Sequence, residues 1–127
     1  MKKVLIVDDS EVLREDLKKI LSTIDDLELV GEAENAQRAI QFVKKMNPDI
    51  LILDINLQIG NGIDVLSTLK KSEINPIIIM FTNYASDAFR TLTYKLGAKY
   101  FFDKSHDIEK LIDTLKNLAT SEVDVLS

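Results

Sequence analysis

Asp49-Ile50-Leu51-Ile52-Leu53-Asp54 is an apolar, β-branched run bounded by Asn47-Pro48 before it and by the loop Asn56-Leu-Gln-Ile-Gly-Asn-Gly62 after it. Its lack of polar alternation reads as a strand covered on both faces, as in a parallel sheet, and its last residue is an ionisable carboxyl. A carboxyl at the carboxyl end of a central strand lies where an open α/β sheet places its ligand crevice. Asp54 is therefore the reference point for every other candidate in the chain.

The same unit recurs on either side. Upstream, Val4-Leu-Ile-Val7 runs into Asp8-Asp9-Ser10, and the apolar period then changes to Leu13, Leu17, Ile20, Leu21 and Ile24. That is a strand followed by an amphipathic helix capped by Ser10 or Asp9. Leu27 to Ala33 is the second strand, and Asn35 caps a helix with Ala36, Ala39, Ile40 and Val43 on one side, stopping before Asn47-Pro48. Downstream, Gly60 and Gly62 punctuate the loop before a helix of Ile63, Val65, Leu66 and Leu69 that ends near Lys70-Lys71. Pro76 opens Ile77-Ile-Ile-Met-Phe81, which ends in Thr82, and Ala88, Phe89, Leu92 and Leu96 form a helical stripe closed by Gly97. Lys99 to Phe102 is the fifth strand, ending at Asp103-Lys104, and Ile108, Leu111, Ile112, Leu115 and Leu118 make the last helix. Five strand-then-helix repeats imply parallel strands, right-handed crossovers and helices on both faces: an α/β, three-layer, doubly wound five-stranded parallel sheet. The expected order is 2-1-3-4-5, flavodoxin-like, within a domain at 1–120, leaving 121–127 as a frayed tail or the start of a linker.

Composition narrows the function. A chain of 127 residues fits one domain and buries roughly two thirds of its unfolded surface, enough for a core without staples. With 16 Lys and Arg against 21 Asp and Glu, the net charge of −5 disfavours direct nucleic-acid binding. There are no cysteines for disulfides, zinc clusters or thiol catalysis. Met1-Lys2-Lys3 leads into an apolar run too short for a signal or membrane segment. The expectation is a soluble, cytoplasmic domain.

Four strand ends are polar: Asp8-Asp9, Asp54, Thr82 and Lys104. The topology puts them on one sheet edge, where gathered carboxylates call for a cation. Magnesium suits best, because it takes one or two carboxylates, keeps waters and shares its remaining sites with a phosphoryl group. Lys104 adds a mobile point charge, and Thr82 a hydroxyl that can donate to an anion. The set matches phosphoryl transfer, with Asp54 as the nucleophile that would form an acyl phosphate. Taken singly, each has a plainer reading as a cap, a turn residue or a solvated charge; the joint placement carries the assignment. His106, the lone histidine, reads as a solvated turn residue, and the Lys18-Lys19, Lys44-Lys45 and Lys70-Lys71 pairs as helix-end cations. Tyr100-Phe101-Phe102 cannot all face inward from one strand, so at least one should reach the surface or a switchable pocket.

Assembled in this way, the chain resembles the receiver domain of bacterial two-component response regulators over Lys3 to Leu118. The likeness rests on Val4-Leu-Ile-Val-Asp-Asp-Ser10, Pro48-Asp-Ile-Leu-Ile-Leu-Asp54, Gly60-Asn-Gly62 with Asp64, Ile79-Met-Phe-Thr82, and Gly97-Ala98 followed by Lys104. The resemblance implies that Asp54 accepts a phosphoryl group from a sensor histidine kinase or a histidine phosphotransfer protein. Asp9 would ligate Mg2+ directly, Asp8 would act through water, and the Asn56 carbonyl would complete the protein ligands. Thr82 and Lys104 would hold the phosphoryl oxygens. Phe101 matches the aromatic that moves inward when Thr82 is drawn to the phosphate, shifting the face made by the fourth helix, fifth strand and fifth helix. A downstream protein, an effector domain or a second copy would bind there.

Several positions depart from the family's habit. Ser105 replaces the proline common after the lysine, so a cis bond there would cost about 2.5 to 4 kcal/mol. Gln58 also replaces a common proline, Asn83 replaces a small residue, and Phe101 has no hydroxyl, which makes any switch steric. Asn56 and Tyr84 lie where the family tunes phosphate lifetime, and a tyrosine at 84 that screens the acyl phosphate predicts slow autodephosphorylation.

The leading expectation is a phospho-accepting switch rather than a turnover enzyme. A phosphohydrolase would want an acid-base aspartate just after the nucleophile and a capped substrate pocket, and Asp54-Ile-Asn-Leu57 offers neither. A receiver-like binding module that does not switch is favoured only by the departures above. No helix-turn-helix pattern follows Leu118, so output is expected through protein contact or a domain outside this chain.

Overall fold

Five parallel strands form one sheet in the expected order 2-1-3-4-5, counted along the chain. In chain order the elements are β1 (Lys2–Val7), α1 (Glu11–Ser22), β2 (Leu27–Ala33), α2 (Ala36–Met46), β3 (Ile50–Leu53), α3 (Gly62–Lys71), β4 (Ile77–Thr82), α4 (Asp87–Lys95), β5 (Tyr100–Asp103) and α5 (Ile108–Thr120). The computed structural model describes residues 1–121, so the tail expected at 121–127 lies, beyond Ser121, outside the described residues.

The unbroken apolar strands are explained by where alternate side chains go. Leu5, Val7, Leu51, Leu53, Ile78, Met80 and Phe101 join one core with α2 and α3, against which Phe89 of α4 and Leu96 at its C-cap also pack. Val4, Ile6, Ile50, Ile52, Ile79 and Phe81 join the other, with Leu17 and Leu21 of α1 and Leu111 and Leu115 of α5. Successive residues of a strand point to opposite faces, so a sheet sandwiched between two helical layers needs apolar residues at every position. Each fully buried side chain of this size is worth roughly 1.5–3 kcal/mol. The aromatic triplet of β5 divides in the same way: Phe101 is buried on the α2/α3 side, whereas Tyr100 and Phe102 stack partly exposed on the other.

Local chemistry ends the elements where it should. Ser10, Asn35, Asn61 and Ser86 each accept the backbone N–H three residues on, and Asn61 forms a full capping box with Asp64. Asn47 closes α2 in the left-handed region at φ 48°, which asparagine tolerates. In α4 the expected stripe is only half kept. Phe89 and Leu96 pack inward, but Ala88 and Leu92 face solvent and Thr93 takes the fully buried position. Its hydroxyl donates to the Arg90 carbonyl at 3.1 Å, which lets a polar side chain occupy a core site.

Strand register sets the working edge. Val7 pairs with Leu53 and Leu53 with Met80, so Asp8 and Asp54 leave neighbouring strands at the same level, joined by the Asp54 N–H to the Val7 carbonyl at 3.0 Å. β4 continues to Thr82, which pairs with Asp103 of β5.

Candidate functional site

Asp8 follows β1, and its Oδ1 accepts the Ser10 N–H at 2.9 Å. Arg14 of α1 donates to the Asp8 carbonyl at 2.6 Å, tying this loop down. Asp54 follows β3 and is 4% exposed, with Oδ1 accepting the Asn56 N–H at 3.3 Å. Lys104, from beyond the edge strand, places Nζ 2.7 Å from Asp8 Oδ2 and 2.8 Å from Asp54 Oδ2. Asp9 completes the group from an exposed position, and one carboxylate oxygen from each of Asp8, Asp9 and Asp54 lies within 4.8 Å of the others.

This arrangement has clear electrostatics. Burial pushes the Asp8 carboxyl above its usual range; the Lys104 ammonium and the Ser10 N–H oppose the rise, and the Asp54 charge adds to it. Burial alone would lower the Lys104 ammonium, but the hydrogen bonds and charges of Asp54 and Asp8 outweigh it and hold its pKa above the ordinary value. Lys104 is thus a fixed cation between two carboxylates. Three hard oxygen donors so close together also fit a hard divalent ion, and no softer ligand is among them.

Thr82 is fully buried at the end of β4. Its Oγ1 accepts the Tyr84 N–H at 3.1 Å, leaving the hydroxyl proton able to donate elsewhere, and its carbonyl accepts the Lys104 N–H at 3.0 Å. Asn56 is exposed and bridges Asn61 across the loop. Tyr84 is half-exposed, its ring edge-on to Phe89 at 6.4 Å between centroids. Phe101 is 2% exposed. The structure therefore brings Asp8, Asp9, Asp54 and Lys104 into one cluster, sets Thr82 beside it through the Lys104 main chain, and leaves Phe101 and Tyr84 on the flank toward α4.

Two contributors escape a sequence reading. The Arg90 guanidinium of α4 lies 4.6 Å from the Phe101 ring centroid, and its Nη1 donates to the Phe101 carbonyl at 3.2 Å. Nothing in the spacing of α4 signals that contact. Asp103 folds the turn that carries Lys104; its only signal is the polar run Asp103-Lys-Ser-His-Asp107. The Lys104–Ser105 bond in that turn is trans. His106 is exposed there, as expected, with Nδ1 3.1 Å from Asp103 Oδ2.

A doubly wound parallel sheet with an acid-and-lysine cluster at the carboxyl edge of its central strands defines a known class of signalling domain. The model of the response regulator receiver domain family matches residues 4–116, and the chain belongs to that family. It is similar to the transcriptional regulatory protein YdfI of Bacillus subtilis, 36% identical over 115 residues, which are 91% of this chain and 54% of that protein. The chain spans about half the length of the curated relatives it matches. Among solved structures, the response regulator domain of Thermotoga maritima CheB superposes with a TM-score of 0.83 at 26% identity, covering 94% of this chain and 93% of that one. A chain of the CheX–CheY–BeF3–Mg2+ complex from Borrelia burgdorferi gives 0.84 at 26% identity, covering 94% and 90%. Among the described residues no helix is long and apolar enough to cross a membrane.

Proposed function

We propose that this chain is a phosphorylation switch in which Asp54 accepts a phosphoryl group from a sensor histidine kinase or a histidine phosphotransfer protein. The observation that carries the reading is the Asp54 carboxylate, nearly buried, with the Lys104 ammonium 2.8 Å away and the oxygens of Asp8 and Asp9 within 4.8 Å. Phosphoryl transfer needs an in-line oxygen nucleophile and charge neutralisation more than covalent assistance, and this cluster supplies both. A carboxylate oxygen of Asp54 forms the new P–O bond while the donor's P–N bond breaks, its electron pair leaving with the imidazole. Asp8, Asp9, Asp54 and the Asn56 carbonyl would hold Mg2+, which neutralises the gathered negative charge. Lys104 and the free proton of the Thr82 hydroxyl bind the phosphoryl oxygens. The Borrelia assembly is a complex with BeF3 and Mg2+, which favours the same chemistry for this fold.

Thr82, drawn to the phosphoryl group, pulls on the Tyr84 N–H and on the Lys104 main chain. Both lead to the face of α4, β5 and α5, where Phe101 lies under Arg90. A shift in population there presents the surface to a downstream protein, an effector domain or a second copy. The chain acts as an acceptor that catalyses its own labelling and hydrolysis, in the cytoplasm, and not as a turnover enzyme.

Intact mass after incubation with acetyl phosphate tests this. One phosphoryl adduct is expected with Mg2+, none without it and none in Asp54→Asn. A folded wild-type chain that takes up nothing under any condition, and does not bind beryllofluoride, would instead be a receiver-like module that binds without switching.

A further inference from the structure

Asp103 ends β5 at the centre of a compact turn. Its Oδ1 accepts the Ser105 N–H at 2.8 Å, and its Oδ2 lies 3.1 Å from His106 Nδ1. The main chain of the same residue is held as firmly: its N–H donates to Asp107 Oδ2 at 2.9 Å, and its carbonyl accepts the N–H groups of His106 at 3.2 Å and Asp107 at 2.8 Å. The Ser105 and His106 contacts keep the Asp103 carboxyl below its usual range.

Lys104 is the next residue, and its task is geometrically demanding. β5 is the edge strand, and two spacings of about 4.8 Å separate it from β3. The lysine stem must cross β4 to bring Nζ within 2.8 Å of Asp54 and 2.7 Å of Asp8. A flexible four-carbon stem stretched over that span can reach only if its Cα starts in the right place. The start is set on one side by the Lys104 N–H, which donates to the Thr82 carbonyl at 3.0 Å, and on the other by the 103–107 turn, of which Asp103 is the hub. Ser105 supplies the N–H for the bond to the Asp103 carboxylate, and a proline at the same position would lack it.

We propose that Asp103 is a positioning residue for phosphoryl transfer, its carboxylate holding the Ser105 N–H and the His106 ring in the turn after β5 so that the Lys104 ammonium reaches Asp54. The inference rests on Asp54 being the phosphoryl acceptor. A partly exposed aspartate in such a turn is ordinarily of local structural value only. The two roles differ in whether the loss acts through Lys104.

The test is the rate of adduct formation from acetyl phosphate and Mg2+, read by intact mass, in wild type, Asp103→Asn, Asp103→Ala, Lys104→Ala and the double variant Asp103→Ala/Lys104→Ala. Asparagine keeps an oxygen for the Ser105 N–H and should stay close to wild type, whereas alanine should slow labelling roughly ten-fold. In the Lys104→Ala background the alanine at 103 should add nothing to the loss, because the group it positions is already gone. If Asp103→Ala does not melt cooperatively, Asp103→Glu replaces it. That change keeps the charge, moves the oxygens away from Ser105, and should also slow labelling. Wild-type rates in Asp103→Ala, or an equal slowing with and without Lys104, overturn the proposal. A wild-type chain that takes up no phosphoryl group overturns the reading of Asp54, and this inference with it.

Discussion

Gly62 opens α3 against the main chain of the residue on which the site is built. A Cβ there would stand 2.3 Å from the Asp54 carbonyl oxygen and 3.0 Å from the Ile55 Cα, both backbone atoms with little room to give. The requirement is close approach, not unusual backbone: Gly60, two residues earlier, is the one at positive φ, 77°. Gly62→Ala should destabilise the fold by about 1–3 kcal/mol, as overpacking does, read as a lower urea midpoint at unchanged slope. The relief must come from α3 or from the Asp54 main chain, so labelling of Asp54 should slow as well. A variant with the wild-type midpoint would mean that the contact relaxes freely.

At the scale of elements, α1 is tied to β2 by charge. Arg14 Nε lies 2.7 Å from Glu32 Oε1, and Lys18 pairs with the other oxygen of the same carboxylate. Burial would raise the Glu32 carboxyl, but Lys18 and Arg14 hold it below its usual range. A carboxyl lowered in the folded state adds stability above its unfolded pKa and loses it as pH falls through the folded one. Glu32 is about one third exposed, so solvent screens much of this, and Glu32→Gln should cost about 0.5–1 kcal/mol at neutral pH. Urea midpoints of wild type and Glu32→Gln should converge as the pH is lowered below the carboxylate range. A gap that stays constant with pH would show that the two cations do not stabilise the ionised form.

For the molecule as a whole, the parallel sheet sends all its strand ends the same way and so gathers Asp8, Asp9 and Asp54 at one edge. Their repulsion is built into the folded state, and a cation bound there stabilises the fold by mass action. At one hundred times its dissociation constant, a divalent ion should add about 2.7 kcal/mol, seen as a higher melting temperature in magnesium. Asp9 is exposed, so Asp9→Asn should fold normally and show a much smaller magnesium-dependent rise. Equal melting of the wild-type protein with and without magnesium would remove the ion from the site.

The order of elements was legible because strands buried on both faces must be apolar throughout, and helices that cover them must carry a 3.6-residue stripe. Asp49 to Asp54, Val4 to Val7 and Ile77 to Phe81 state this without ambiguity, and the polar residues that end them pointed to one edge. The stripe of α4 misled: Thr93, not Leu92, is the buried residue, because a hydroxyl bonded to its own helix carries no polar cost into a core. Residue types and strand ends, and with them the family and the gathering of Asp8, Asp9, Asp54 and Lys104 at one edge, were thus determined by the sequence alone. Only the tertiary structure decided that Lys104 bridges Asp8 as well as Asp54, that Arg90 covers Phe101, and that Asp103 holds the turn from which Lys104 starts. The reason is physical: periodicity tells which face a side chain takes, but the distance between groups on different strands depends on register and on the path of the turns, which spacing along the chain does not encode.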